Sequence, residues 1–147
     1  MVCLGNICRS PVAEGLMKAK AEEFDLNISV DSAGTSGWHN GNKADSRSRK
    51  NAIENGVNIS DQRSRGVILE DFEEFDIVYA MDESNYNNLI NMSPKHHHHK
   101  IKMILNEVYP GENMSVPDPY YGNDGFQLVF DLLNDACNTI AKKINNG

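Results

Sequence analysis

The sequence predicts an α/β fold, a doubly wound four-stranded parallel sheet with helices on both faces. Three observations carry that expectation. Short apolar runs of strand type alternate along the chain with segments of helical periodicity. The run Ile77-Val78-Tyr79-Ala80-Met81 is apolar at every position, as a strand buried on both faces of a parallel sheet must be. The loop after Cys3, the Gly34 region and Asp82 each follow a strand candidate. They should therefore gather at one sheet edge, where ligands bind in such folds.

Taken in order, the first strand is truncated at the N-terminus, because only Met1 and Val2 precede Cys3. Ser10 is a suitable N-cap and Pro11 suits the first helical position. From Pro11 to Phe24 an apolar stripe through Val12, Ala13, Leu16 and Met17 predicts a helix. Leu26 to Val30, with Ile28 and Val30 alternating, predicts a strand ending in Asp31-Ser32-Ala33-Gly34. Thr35 to Ala44 is a Gly- and Asn-bearing loop carrying Trp38. Asp45 opens a helix through Asn55, which Gly56 stops. Val57 to Arg65 is loop, Leu69 to Phe75 a helical turn, and Ile77 to Met81 the buried strand. Asp82 caps a helix over Glu83 to Asn91, and Lys102 to Leu105 is the fourth strand. Tyr109 to Asp124 is a long loop before a final helix with a broad apolar face from Phe126 to Ile144.

Length and composition fit one domain, residues 1–147, of ordinary globular type. No stretch approaches the roughly 18 apolar residues of a membrane span, and no signal peptide is legible. Three cysteines make no disulfide framework, so a reducing cytoplasm is the expected location. A net charge of −7 argues against nucleic acid and anionic membranes as partners. An anionic substrate must then be captured by a local positive site.

Cys3-Leu4-Gly5-Asn6-Ile7-Cys8-Arg9-Ser10 offers one. Gly5 and Asn6 readily take positive φ, so the segment can curl until successive N–H groups point inward as an anion nest. The helix N-terminus behind it adds positive potential, and Arg9 supplies a planar fork that matches two phosphate oxygens. A thiol in that field gives up its proton readily and becomes a nucleophile aimed at phosphorus. Ser10 can also donate to that sulfur. The chemistry implied is a metal-independent phosphatase with a phosphocysteine intermediate and no cofactor.

Val2 to Pro11 resembles the phosphate-binding loop of the low-molecular-weight protein tyrosine phosphatases, and Asp118-Pro119-Tyr120-Tyr121-Gly122 resembles that family's general-acid loop. Asp31-Ser32-Ala33-Gly34 and Ala80 to Asn85 are similar to further family segments, so the resemblance spans nearly the whole chain. It implies Cys3 as nucleophile, Arg9 with loop residues Leu4 to Cys8 and Ser10 as phosphate binders, and Asp118 as general acid and then base. It also implies Trp38 and Tyr120 as walls for a phosphotyrosine ring, and a phosphotyrosine-containing protein, for example a tyrosine kinase, as substrate partner of a monomer. Asp82 then either orients Arg9 or only caps its helix, and Gln62 stands where some members carry histidine.

Cys8 reads either as a disulfide partner for Cys3 under oxidation or as an inert thiol. Cys137 reads as core. Four adjacent histidines, His96 to His99, cannot all face one ion, and the expectation is a loop without a functional metal. Arg63 and Arg65 read as surface or loop-fixing charges. Arsenate reductase shares the Cys-x5-Arg loop but needs further cysteines, and none lies between Asp71 and Lys100. A non-catalytic phosphotyrosine-binding module would tolerate loss of Cys3 or Asp118, and both are present. A cysteine-ligated cluster would need a second cysteine pair.

Overall fold

A computed structural model describes residues 1–122 and 124–147. The strands are β1 (Val2–Cys3), β2 (Ala33–Gly34), β3 (Val78–Ala80) and β4 (Ile101–Met103). They pair in parallel in the order β2-β1-β3-β4. The helices are α1 (Arg9–Glu23), α2 (Ser46–Glu54), α3 (Leu69–Glu74), α4 (Glu83–Met92) and α5 (Phe126–Asn146). Two 3-10 helices, Lys95–Lys100 and Ile104–Glu107, flank β4.

Alternation along the strands divides the core in two. Cys3, Tyr79 and Met81 face a cluster built with Val12, Leu16, Ile59, Leu133 and Ile140, the side covered by α1, α2 and α5. Val2, Val78, Ala80 and Ile101 face Phe72 and Leu89 on the other side, under α3 and α4. The sheet is thus covered on both faces, as expected. Each fully buried Leu or Ile contributes about 1.5–3 kcal/mol. β1 has only two assigned residues yet is an inner strand, since β2 leaves it on one side and β3 on the other. That is the topological switch point, and Cys3 ends the strand there.

Caps account for the helix boundaries. Asp45 accepts from Arg47 N at 2.8 Å and Asp82 from Asn85 N at 2.7 Å, as expected of both. Gly56, with φ +86°, closes the turn after α2.

Four expectations need correction. Residues 26–30 form no strand: Ile28 and Val30 pack half-buried on the core without a ladder, and pairing occurs instead at Ala33–Gly34. Alternation reports half-burial, whereas a strand needs a backbone partner. β4 runs from Ile101 to Met103, and Ile104 and Leu105 turn into a 3-10 helix. The histidine run is a 3-10 helix rather than a loop. Finally, α1 begins at Arg9 with Cys8 in the N-cap position, so Ser10 lies inside the first turn and is not the cap.

Gly34 is where two backbones meet. Its N–H donates to Arg65 O at 2.8 Å and its carbonyl accepts from Val67 N at 2.9 Å. A Cβ there would lie 2.8 Å from Leu4 O and 3.1 Å from Asn6 N, contacts with backbone that no rotamer relieves. Gly34→Ala is expected to cost about 1–3 kcal/mol by overpacking and to displace the Cys3 loop. A thermal melt together with kcat on an aryl phosphate checks this, and wild-type values in both would refute it.

Candidate active site

The loop leaves β1 at Cys3 and enters α1 at Arg9 through five residues, Leu4 to Cys8. Asn6 makes that possible with φ 56°; Gly5 is not among the positive-φ residues, so the expected left-handed pair reduces to one. Small size matters at Gly5 instead, because a Cβ would come within 3.0 Å of the His39 ring.

Asn6 is buried and uses both ends of its side chain. Its Nδ2 donates to Ser10 Oγ at 2.8 Å and to Ser32 Oγ at 2.9 Å, and its Oδ1 accepts from Arg65 N at 3.0 Å. Ser32 Oγ donates to the buried carboxylate of Glu14 at 2.6 Å, which also pairs with Lys18. Gln62 does not support Asn6; its amide donates to Pro11 O. Arg65 fixes the loop by its backbone, while its guanidinium pairs with Asp31 and Asp71. Ser64 Oγ donates to Gly5 O at 3.0 Å. These bonds offset the positive φ, worth about 1–3 kcal/mol of strain.

Cys3 Sγ lies at the centre of this loop, 3.2 Å from the donating Asn6 N–H and 3.0 Å from Ser10 Oγ. Since Ser10 Oγ already accepts from Asn6, its hydroxyl hydrogen is free to point at the sulfur. The first turn of α1 holds no acidic residue, and no side chain caps it among the described residues. Its orphan N–H groups and dipole are therefore left for an anion.

Arg9 is buried, and its Nη1 donates to Asp82 Oδ2 at 2.6 Å and to Val116 O at 3.0 Å. Its Nη2 lies 3.5 Å from Asp118 Oδ2. Asp82 thus both caps α4 and orients Arg9. The far loop is hooked onto the sheet by Val116 N donating to Met81 O at 2.8 Å, which brings Asp118 over the Cys3 loop. Asp118 Oδ1 accepts from Tyr120 N at 3.0 Å.

Cys3, Leu4, Gly5, Ile7, Cys8 and Arg9 line one cleft with Asp118, Trp38 and Tyr120. Asn6 and Ser10 stand behind it as supports. Trp38 is 82% exposed, so packing beneath its loop does not explain it. Tyr121 is equally exposed and meets Tyr120 edge-on at 5.1 Å. The sequence did not single out Arg47, which donates to Tyr120 O and Gly122 O at 2.9 and 2.8 Å and lies over the Tyr120 ring. Nor did it single out Ser36, whose hydroxyl borders the cleft without a partner among the described residues. Glu14 and Ser32 were invisible too, because their positions relative to Asn6 depend on how β2 docks against β1.

The other two thiols are quiet. Burial pushes Cys8 up to about 12, helped by the nearby Asp45 carboxylate. Burial does the same to Cys137, which packs in the core and points at Ala13 O. All three cysteines are unpaired. A raised thiol is held protonated in the folded state while the unfolded chain releases that proton above about pH 9. Stability is then fully present below pH 9 and falls as pH rises toward 12, by about 1.4 kcal/mol per unit for each thiol. Urea midpoints at pH 8 and pH 10.5 test this, and Cys8→Ala with Cys137→Val should flatten the slope. An unchanged slope in that double variant would refute the assignment.

The sequence profile of the family described as low molecular weight phosphotyrosine protein phosphatase matches residues 1–147. The chain belongs to that family. It is 37% identical over 147 residues to the low molecular weight phosphotyrosine protein phosphatase of Schizosaccharomyces pombe, covering 97% of this chain and 94% of the yeast one. The crystal structure of a protein tyrosine phosphatase from Entamoeba histolytica, with Hepes in its active site, superposes with a TM-score of 0.92 at 42% identity. That match covers 99% of this chain and 95% of the other. YfkJ from Bacillus subtilis gives a TM-score of 0.92 at 35% identity, covering 99% and 92%. Among the described residues, no helix is long and apolar enough to cross a membrane.

Proposed function

We propose that this member of the phosphotyrosine phosphatase family hydrolyses phosphotyrosine in proteins through a phosphocysteine intermediate. One observation carries the reading. Cys3 Sγ receives the Asn6 N–H and the Ser10 hydroxyl at an uncapped helix N-terminus, with Arg9 and Asp118 on the same cleft.

In this mechanism the phosphate docks on the loop amides and the Arg9 guanidinium, which Asp82 and Val116 O hold in place. The Cys3 thiolate attacks phosphorus in line with the ester oxygen. As the P–O bond breaks, Asp118 gives its proton to the leaving phenolate. Asp118 then takes a proton from water, which attacks the phosphocysteine. The sulfur leaves as thiolate, stabilised by Ser10, and inorganic phosphate departs. Trp38 and Tyr120 flank the ring, apolar walls that phosphoserine has no ring to engage. Arsenate reduction lacks support, since a resolving thiol must be mobile and reactive, and Cys8 and Cys137 are buried. Three unpaired cysteines suit a reducing cytoplasm.

The test is release of p-nitrophenol from its phosphate ester in EDTA, followed by phosphotyrosine and phosphoserine peptides. Activity that persists in EDTA and favours phosphotyrosine supports the proposal. A folded protein inactive on every ester, or one dependent on added metal, overturns it.

A further inference from the structure

We propose that Glu73, His96 and His97 form a site for a divalent transition-metal ion of the zinc type, on the sheet face opposite α1. Ligating atoms from the three side chains lie within 4.8 Å of one another. Ligand atoms around a tetrahedral zinc stand about 3.3 Å apart, given Zn–N distances of about 2.0–2.1 Å. Glu73 and His96 are both exposed and can close that difference by side-chain rotation.

His97 is the anchor. It is 92% buried, since its exposure is 8%, and neither ring nitrogen makes a hydrogen bond of ordinary geometry among the described residues. Its Nε2 lies 2.9 Å from Glu73 Oε1, close enough for attraction but poorly aligned as a hydrogen bond. A buried imidazole whose Nδ1 has no partner and whose Nε2 meets only a poorly aligned carboxylate is costly, and a cation bound by both side chains would satisfy them.

The 3-10 helix sorts the four histidines, with His96 and His97 brought together beside Glu73. His97 turns inward and meets the His96 ring at a 45° tilt with centroids 4.0 Å apart, whereas His98 is engaged with Ser93 O and His99 is exposed. Lys100 Nζ donates to Phe72 O at 2.7 Å, so α3 and the 3-10 helix are already docked. Two imidazoles and one carboxylate leave a fourth position for water, and they suit zinc or another borderline ion better than magnesium or calcium.

The experiment uses chelator-stripped full-length protein titrated with Zn2+ by calorimetry and with Co2+ by visible absorption. One ion is expected per chain, without the thiolate charge-transfer band that Cys3 or Cys8 would give, and binding should persist in Cys3→Ser. Glu73→Gln and His96→Asn, both at exposed positions, should each weaken affinity by about tenfold or more. A His98→Asn, His99→Asn double variant should leave it within about twofold. Zn2+ should raise the Tm of wild type and of the double variant alike, and that of Glu73→Gln by less at the same concentration. If affinity follows the number of histidines and ignores Glu73, the binding is adventitious and the proposal falls. It falls equally if nothing binds below millimolar zinc.

Discussion

Cys3→Ser is expected to abolish turnover of aryl phosphates, by about five to six decades or to the floor of the assay. The reason is chemical rather than structural. A serine hydroxyl fits the same space and can keep the contacts to Asn6 N and Ser10 Oγ, but it is far less acidic than a thiol. The melting curve should shift by less than about 1.5 kcal/mol, as for other near-isosteric changes. Binding should survive, because the loop amides, Arg9 and the α1 terminus remain. Trp38 is the single tryptophan and borders the cleft, so its fluorescence can report a phosphotyrosine peptide docking on the inactive variant. Residual turnover within tenfold of wild type would remove Cys3 from the nucleophile's role.

Asp118→Ala is expected to lower kcat by about two to four decades on p-nitrophenyl phosphate, the range for loss of a positioned general acid. The loss should be greater on phosphotyrosine, whose phenolate is the more basic leaving group and needs the proton more. Asp118→Asn separates proton transfer from position. An asparagine can still accept from Tyr120 N, as the aspartate does at 3.0 Å, but it has no proton to give at neutral pH. Equal losses in the two variants, both growing with leaving-group basicity, are the expected result. Rescue by asparagine would recast Asp118 as a residue that only shapes the loop.

The sequence by itself determined the alternation of strands and helices, because burial of one helix stripe and of whole central strands is written locally in residue spacing. It also placed the caps at Asp45 and Asp82, where a short acidic side chain meets the next helical N–H groups. The Cys3–Ser10 loop was legible for a similar reason, since nucleophile, positive-φ residue, guanidinium and helix start lie within eight positions. Tertiary structure decided what depends on distant backbones. Ala33–Gly34 became a strand only because β1 offers it a partner and Leu4 O leaves no room for a Cβ. Of the two roles expected of Ser10, the cap was lost to Cys8 and the thiol contact kept, with Asn6, held by Ser32 and Arg65 N, fixing the loop's curl. Arg47 could not be assigned from its neighbours, because its targets, Tyr120 O and Gly122 O, lie more than seventy residues away. The histidine run likewise acquired an inward and an outward side only when α3 docked against it and buried His97. Local spacing fixes which way a helix faces, but what it faces depends on packing between segments distant in the chain.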